Sequence, residues 1–331
     1  MSSRTALIAG VSGIVGNNLA RHLVAEGWSV AGLAGALKDV RPSHVFITTW
    51  LRQETEAENI RVNGAMVRNL LDALRQGGSV RHVAMVTGLK HYLGPFEAYG
   101  KGVLPQTPFR EEQGRLDVDN FYYAQEDEVF AAAARDGFTW SVHRPHTVIG
   151  HAVGNAMNMG QTLAVYASLC RETGRPFRFP GSAAQWNGLT DMTDAKQLAR
   201  QLLWASTTPA AANEAFNIVN GDVFRWSWLW TQIAHWFGLE PAPFDGTVLP
   251  LEEQMKDDAA LWTEIAERED LQETKLSRLA SPWHTDADLG RPIEVVTDMS
   301  KSRKLGFTAY QATDEAFFQL FEQLRADRYI P

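Results

Sequence analysis

The chain has a single cysteine, Cys170, among 331 residues. One thiol cannot form an internal disulfide, which is typical of proteins from a reducing compartment. Cations are also scarce, because 31 basic side chains stand against 39 acidic ones and give a net charge of −8. A surface without surplus positive charge is a poor match for nucleic acid or an anionic membrane. Neither kind of partner is therefore expected.

Long apolar runs are missing as well. No stretch approaches the roughly 20 apolar residues that span a bilayer. The first residues are apolar, but Gly10, Gly13 and Gly16 interrupt them where a signal peptide would have a continuous core. Hydrophobic residues nevertheless make up 45% of the chain, enough for the core of one or two domains. These features predict a soluble, cytoplasmic globular protein.

Short apolar runs alternate with amphipathic segments through the first 150 residues. They predict strands at 6–9, 28–33, 45–47, 83–86 and 139–143, with helices after the first strand, at 60–74 and at 120–135. Strands that alternate with helices form a doubly wound parallel sheet with helices on both faces. Later segments predict a strand at 215–219 and helices at 164–171, 194–205, 226–237, 249–271 and 314–326. We expect residues 1–150 to form an α/β domain and residues 151–331 a smaller, mostly helical substrate-binding region packed on it.

The first predicted strand runs into a glycine-rich turn, Gly10-Val11-Ser12-Gly13-Ile14-Val15-Gly16, just before a helix. In a GxxGxxG pattern the first glycine permits the tight turn and the second lets the backbone approach a pyrophosphate. The third lets helix and strand pack closely. Exposed N–H groups at the helix start then attract the phosphates. A glycine triplet alone often marks only a turn, but its place at the first strand–helix junction favours a dinucleotide site in a Rossmann-type domain.

The second predicted strand lacks the charged residue that normally selects NAD or NADP, about 20 residues further on. The chain reads Ala31-Gly32-Leu33-Ala34-Gly35 there, and the next charge is Lys38. Residues 35–43 are too few for a crossover helix plus another strand before the third strand begins. Either the protein has lost a helix–strand unit near Ala34-Gly35, or a segment is missing from the sequence. The residues themselves do not decide between the two cofactors.

Three further segments have unusual and specific patterns. Residues 87–96 read TGLKHYLGPF, residues 120–123 read NFYY and residues 140–145 read WSVHRP. With the glycine turn, they resemble the progesterone 5β-reductase/iridoid synthase family, a branch of the extended short-chain dehydrogenases/reductases. The resemblance continues through NEAFN at 213–217, NGDVF at 220–224, DMSK at 298–301 and YIP at 329–331. It thus covers nearly the whole chain apart from the gap.

The resemblance implies NADPH-dependent reduction of an activated C=C bond, with hydride added to the β-carbon of an enone or enal. In ordinary short-chain dehydrogenases a lysine lies four residues after the catalytic tyrosine, but Asp127 is four residues after Tyr123. The family takes its lysine from the TGxKHY segment, which Lys90 matches. We therefore expect Tyr123 and Lys90 to be catalytic and Tyr122 to be structural. The phenol would stabilise the forming enolate, and the ammonium would lower the phenol's pKa and hold the nicotinamide ribose.

Further positions follow from the resemblance, although each apolar one would serve equally well as core. The residues expected to bind the cofactor, NADPH or NADP⁺, are Gly10, Gly13, Ile14, Val15, Gly16, Thr49, Trp50, Thr87, Lys90, Tyr123, Pro145, Val148, Ile149, Ala156 and Met157. Those expected to line the substrate pocket are Trp50, Phe96, Trp283 and His284, with His284 where the family usually has a second aromatic. No metal is expected, because the histidines lack the spacing of a metal site.

Two other functions stay open. A nucleotide-sugar epimerase or dehydratase of the extended family would want a lysine where Asp127 lies. A non-catalytic NADP-sensing Rossmann protein would tolerate the loss of Tyr123 and Lys90, yet both residues are present. The expected partner is a small-molecule enone or enal, and a homodimer stays open.

Overall fold

The computed structural model describes residues 4–32, 40–95, 106–155 and 157–331. The chain divides into two compact units. The first comprises Met1–His146, Ala195–Val219 and Thr297–Ala309, and the second Thr147–Asp194, Asn220–Val296 and Tyr310–Pro331. The sequence predicts one region from 151 onward, whereas two later segments belong to the first unit. One of them carries a strand of the central sheet.

Strands and helices alternate through the first part of the chain, and helices prevail after it. The strands in the described residues are β1 (Thr5–Ala9), β2 (Ser29–Gly32), β3 (His44–Ile47), β4 (His82–Val86), β5 (Thr139–Pro145), β6 (Val148–Ile149), β7 (Thr193–Asp194) and β8 (Glu214–Ile218). The α-helices there are α1 (Ile14–Ala25), α2 (Glu56–Arg75), α3 (Lys90–Leu93), α4 (Phe121–Asp136), α5 (Met159–Thr173), α6 (Ala183–Asn187), α7 (Ala195–Thr207), α8 (Trp226–Trp236), α9 (Leu251–Gln254), α10 (Ala259–Arg268), α11 (Leu276–Leu279), α12 (Pro282–Leu289), α13 (Ser300–Lys304) and α14 (Thr313–Ala326).

The first unit is built on a parallel sheet whose described strands run in the order β2-β1-β3-β4-β5-β8. Side chains alternate between its faces. Leu7, Val45 and Val83 share a buried cluster with residues of α2 and α4, while α1 and α7 pack against each other. Strands covered on both faces are mostly apolar, and β1 accordingly carries four buried apolar residues in a row. The predicted Rossmann-type α/β fold is confirmed.

The edge of this sheet bears on the gap seen in the sequence. Among the described residues β2 is the outermost strand on its side, and β3, which follows it in the chain, lies on the other side of β1. In a doubly wound dinucleotide-binding sheet a third strand lies outside the second. No strand in the described part of the chain pairs with the outer edge of β2. The junction expected near Ala34-Gly35 falls outside the described residues.

A polar stripe crosses one face of the same sheet. The imidazole of His82 on β4 lies with Nδ1 2.9 Å from Thr139 Oγ1 and Nε2 3.0 Å from Ser141 Oγ. Ser141 Oγ is in turn 2.9 Å from Nε2 of His143 on β5, and His143 Nδ1 is 2.7 Å from Gln201 Oε1 on α7. The chain of hydrogen bonds thus satisfies two buried imidazoles between the sheet and its covering helix.

The second unit has an aromatic core. Phe177 stacks on Trp230 of α8 with ring centroids 4.2 Å apart, and the Trp230 indole N–H donates to the Phe177 carbonyl at 3.2 Å. Phe179 meets the Trp230 ring edge-on at 5.3 Å. Helix α5 is buried from Met159 to Cys170, so the only cysteine lies in this core.

Across the described ranges, we find no helix whose length and apolar character would suit a bilayer crossing.

Candidate active site

The glycine turn has the shape of a phosphate cradle. Gly10 has a φ of +89°, which a side chain rarely adopts, and the Gly13 N–H donates to its carbonyl at 3.0 Å. A Cβ atom on Gly16 would lie 2.1 Å from the Gly10 carbonyl oxygen. Gly13 caps α1, and no side chain of the described residues bonds to the N–H groups that open this helix. The turn therefore fits a pyrophosphate bound by backbone N–H groups.

The Gly16→Ala variant tests this cradle. The added methyl meets backbone atoms of Gly10, so β1 and α1 must move apart and the N–H groups lose their common direction. We expect the Kd for NADPH to rise at least about tenfold, as loss of one charge-assisted hydrogen bond would cause. Fluorescence titration of the nucleotide measures it. Gly64→Ala is the matched control, because a Cβ there meets only Ala124 at 3.8 Å. Unchanged affinity in Gly16→Ala would remove the cradle from the cofactor site.

The predicted cofactor residues of the first unit follow the carboxyl ends of neighbouring strands. Gly10 follows β1, Thr49 and Trp50 follow β3, Thr87 follows β4, and Pro145 ends β5. A Cβ on Gly10 would lie 2.7 Å from Thr49 Cβ, so the first two strand ends touch. Because the strands are parallel, these residues share one edge of the sheet, where doubly wound folds bind their ligands.

The other predicted residues fall elsewhere. Val148, Ile149 and Met157 belong to the second unit, as do Trp283 and His284 on α12. The rings of Trp283 and His284 meet edge-on with centroids 5.5 Å apart, and Trp283 is 36% exposed. Phe96 and Ala156 lie outside the described residues. In the described parts of the chain, no group of three or more potential ligands could hold a metal ion.

Lys90 opens the single-turn helix α3 and is only 8% exposed. Its ammonium lies 5.5 Å from the centroid of the Trp50 ring and 4.9 Å from that of Phe121. Aromatic faces attract a cation at these distances. The Lys90 carbonyl accepts a hydrogen bond from Asn120 Nδ2 at 2.8 Å. The lysine is thus a buried cation near the carboxyl end of β4.

The hydroxyl of Tyr123 is hydrogen-bonded to two backbone groups of the protein. It donates to the His91 carbonyl at 2.7 Å and accepts from the Leu116 N–H at 3.0 Å. The guanidinium of Arg115 lies over its ring, 4.8 Å from the centroid. Burial raises the pKa of this phenol, although the Leu116 N–H opposes the shift. A phenol whose proton is held by a backbone carbonyl is poorly placed to donate it to a substrate.

Tyr122 differs in this respect. Its N–H donates to Asn120 Oδ1 at 3.0 Å, which fixes it in the first turn of α4. A Cβ on Gly88 would lie 3.5 Å from the Tyr122 hydroxyl and 3.4 Å from the Pro145 carbonyl. The hydroxyl makes no hydrogen bond within the described residues, and burial raises its pKa. It is a protonated donor beside the TGLKHY segment, at the carboxyl edge of the sheet.

The hydrogen bonds therefore favour Tyr122 over Tyr123 as the catalytic tyrosine. The expectation of Tyr123 stays a prediction, which rested on Asp127 occupying the place of the usual lysine. Four residues after Tyr122 stands Glu126 instead, a buried carboxylate 2.9 Å from Arg115 and 3.8 Å from Arg144. Either alignment places an acid where ordinary short-chain dehydrogenases have a lysine. Spacing alone could not separate the two tyrosines.

Known proteins of one family match this chain over nearly its whole length. A family model described as a PRISE-like Rossmann-fold domain matches residues 35–331. The (S)-8-oxocitronellyl enol synthase of Camptotheca acuminata is 37% identical, covering 98% of this chain and 93% of its own. The 3-oxo-Δ(4,5)-steroid 5β-reductase of Arabidopsis thaliana has the same identity and coverage.

The chain belongs to the PRISE-like family. The resemblance carried by its motifs is thereby confirmed. Among solved structures, RMD from Pseudomonas aeruginosa with NADPH matches at a TM-score of 0.68 and 14% identity, over 97% of this chain and 98% of that one. UDP-glucose 4-epimerase of Thermotoga maritima matches at 0.61 and 15%, over 97% and 99%. At these identities the two structures show the fold alone.

The alignments also bear on the gap. The alignment with each of the two plant relatives is 365 positions long, whereas this chain has 331 residues. The alignment is therefore 34 positions longer than the chain. At least that many residues of each PRISE-like relative therefore face a gap. Together these residues are about as many as one helix–strand unit contains. The place of the unit expected to be missing, near Ala34-Gly35, stays a prediction.

Proposed function

We propose that this PRISE-like chain is an oxidoreductase that reduces the activated C=C bond of a small enone or enal, with NADPH as hydride donor. The observation that carries the proposal is the Tyr122 hydroxyl, which has no partner in the described residues and lies beside the segment of Lys90. The family supports the reaction type, since one relative is named a steroid 5β-reductase. The fold supports the cofactor, since NAD and NADPH complexes occur among its structural neighbours.

NADPH held by the turn of residues 10–16 would supply a hydride, which would form a C–H bond at the β-carbon of the substrate. The electron pair of the C=C bond then moves toward the carbonyl, and negative charge collects on its oxygen. The Tyr122 phenol, kept protonated by burial, donates a hydrogen bond to that oxygen and stabilises the enolate. The Lys90 ammonium adds positive charge nearby. The enolate finally takes a proton from the phenol or from water, so the C=C bond is reduced as the cofactor is oxidised.

The chain's own residues count against the other two functions. An epimerase-type site would carry a lysine four residues after its tyrosine, and both acids found there, Glu126 and Asp127, are bound to Arg115. The solved epimerase from Thermotoga maritima shares the fold at 15% identity, and at that identity a shared fold does not support a shared reaction. A purely sensing protein would not need Lys90 buried beside two aromatic rings.

NADPH, rather than NADH, is proposed on the resemblance to the family. The sequence has no selecting charge at the end of β2, so the side chains give no independent support. A cytoplasmic location is proposed on the single, buried Cys170.

A cofactor-consumption assay tests the function. Purified protein is mixed with NADPH and a panel of cyclic and open-chain enones and enals, and the absorbance of the reduced cofactor is followed. We expect enone-dependent oxidation of NADPH and a product reduced at the C=C bond. Binding of NADPH without turnover of any enone would instead support the sensing function. Turnover of a nucleotide sugar would support the epimerase function.

Trp283 is the proposed wall of the substrate pocket. Replacing it with alanine should raise KM for bulky enones by roughly tenfold, because a lost apolar contact weakens binding rather than chemistry. The Kd for NADPH should not change. Trp228→Ala is the matched control, since Trp228 on α8 is also exposed, at 44%. Steady-state kinetics with several enones would show whether Trp283 lies at the site, and equal kinetics for both variants would exclude it.

A further inference from the structure

The helix that carries Lys90 cannot hold its own shape. Helix α3 has four residues, and isolated helices of this length are unstable in water. The orientation of the lysine must therefore come from groups that bind the α3 backbone. Two of them lie at the start of α4, the helix that carries Tyr122.

Asn120 binds both elements with one side-chain amide. Its Oδ1 accepts the Tyr122 N–H at 3.0 Å and so caps α4. Its Nδ2 donates to the Lys90 carbonyl at 2.8 Å. Asn120 is 3% exposed, so neither bond competes with bulk water. A single planar amide thus fixes the backbone of Lys90 relative to that of Tyr122.

Neighbouring residues hold the rest of the turn. The Tyr123 hydroxyl donates to the next carbonyl, that of His91, at 2.7 Å. The Tyr92 hydroxyl donates to Asn217 Oδ1 at 2.7 Å, which ties the far side of α3 to β8. These contacts leave α3 little freedom to rotate. Asn120 binds the Lys90 carbonyl from outside the turn, and the Gly94 N–H binds the same carbonyl from within it, at 2.9 Å.

We infer that Asn120 is a positioning residue that sets the distance between the Lys90 ammonium and the Tyr122 phenol. The inference rests on the proposed function. Its chemistry requires an amide, because capping needs an acceptor and the Lys90 carbonyl needs a donor. Aspartate or serine would cap α4 about as well as asparagine. Neither provides the donor at that place, since a carboxylate only accepts and a serine hydroxyl is too short.

The experiment compares Asn120→Asp and Asn120→Ser with the full-length wild-type protein. We expect kcat with a reducible enone to fall about 10- to 100-fold in both, the cost of misplacing a catalytic group by about 1 Å. KM for the enone should stay within about threefold of wild type. The midpoint of thermal unfolding should fall by no more than about 4 °C, because the cap is retained. Asn120→Ala should show the same loss of kcat and a larger fall in the midpoint.

Binding of NADPH provides a readout that needs no turnover. If the Lys90 ammonium reaches the nicotinamide ribose, the Kd for NADPH in Asn120→Asp should rise about three- to tenfold. Wild-type kcat and Kd in Asn120→Asp, with Tyr122→Phe impaired, would overturn the inference and leave the proposed function standing. A wild-type protein that turns over no enone defeats the proposed function. The Kd for NADPH in Asn120→Asp then decides the positioning role by itself.

Discussion

Lowering the pH from 7 to 5 should cost the protein roughly 7 kcal/mol of its free energy of unfolding. Burial lowers the pKa of His82 to about 3 and those of His44, His91 and His143 to about 4. In the unfolded chain each imidazole titrates near the ordinary value of about 6.5. Between pH 6.5 and pH 4 these imidazoles are therefore protonated in the unfolded state and mostly neutral in the folded state. Each histidine then costs about 2 kcal/mol at pH 5.

Because the pKa values are lower in the folded state, the free energy of unfolding decreases as the pH falls. The stability is fully present above pH 6.5 and is lost as the pH falls through 6.5 toward the folded values near 4 and 3. Buried Glu111 and Glu126 oppose the loss, because burial raises the pKa of both carboxyls and they gain protons readily in the folded state. The histidines dominate because there are four of them with large shifts.

Urea unfolding at pH 7, 6 and 5 measures this effect. His82→Gln removes one titrating group while an amide can still bond to Ser141, so the difference between pH 7 and pH 5 should shrink by about 2 kcal/mol. His235→Gln on the exposed side of α8 is the matched control and should leave the difference unchanged. Equal stability of wild type at pH 7 and pH 5 would show that the imidazoles are hydrated or paired in a way this hydrogen-bond chain does not allow.

β1, β3 and β4 were predictable because each is a short run of mostly apolar, buried residues. β1 at Thr5–Ala9 and β4 at His82–Val86 lie within one residue of the predicted 6–9 and 83–86. The place of β8 in the first unit was not predictable. It depends on pairing with β5, about 70 residues earlier in the chain, and local patterns carry no information on such pairing.

Long-range contacts also divide the acidic segment 249–271. The sequence predicts one helix there, whereas the structure has α9 and α10 with a break at Met255–Asp258. Asp258 pairs with Arg175 at 2.5 Å, and Asp286 accepts the Leu251 and Glu252 N–H groups that open α9. These partners lie some 30 to 80 residues away, so helical periodicity could not show where the segment ends.

The residues of the candidate site were also only partly predictable from the sequence. Lys90 and the strand-end residues were predicted from the resemblance to the family. The choice between two adjacent tyrosines did not, because it depends on which hydroxyl finds a backbone partner. The partners of Tyr123, the His91 carbonyl and the Leu116 N–H, come from a loop and a short helix whose positions only the folded chain defines.

The largest effect on catalysis is expected from Tyr122→Phe. The change keeps the ring and its packing against Phe121, whose centroid is 4.4 Å away, and removes only the hydroxyl. Loss of one hydrogen-bond donor to a developing oxyanion typically costs about 10²–10³ in the chemical step. We therefore expect kcat with a reducible enone to fall by that factor. The Kd for NADPH should be nearly unchanged, since the cradle around Gly10 and Gly16 is untouched.

Tyr123→Phe is the natural partner variant, since it removes an identical group one residue away. The variant loses the hydrogen bonds of the hydroxyl to the His91 carbonyl and the Leu116 N–H. The midpoint of thermal unfolding should therefore fall by about 2–4 °C. Its kcat should fall no more than about tenfold, because α3 keeps the bond from Asn120. Single-turnover hydride transfer, with substrate and cofactor saturating, separates the chemical step from binding in both variants. A 10²–10³-fold loss in Tyr123→Phe with a nearly silent Tyr122→Phe would return the catalytic role to Tyr123. Nearly silent changes at both positions would mean that the enone is electrophilic enough to be reduced without a phenol, and the proposed role of the hydroxyl would be wrong.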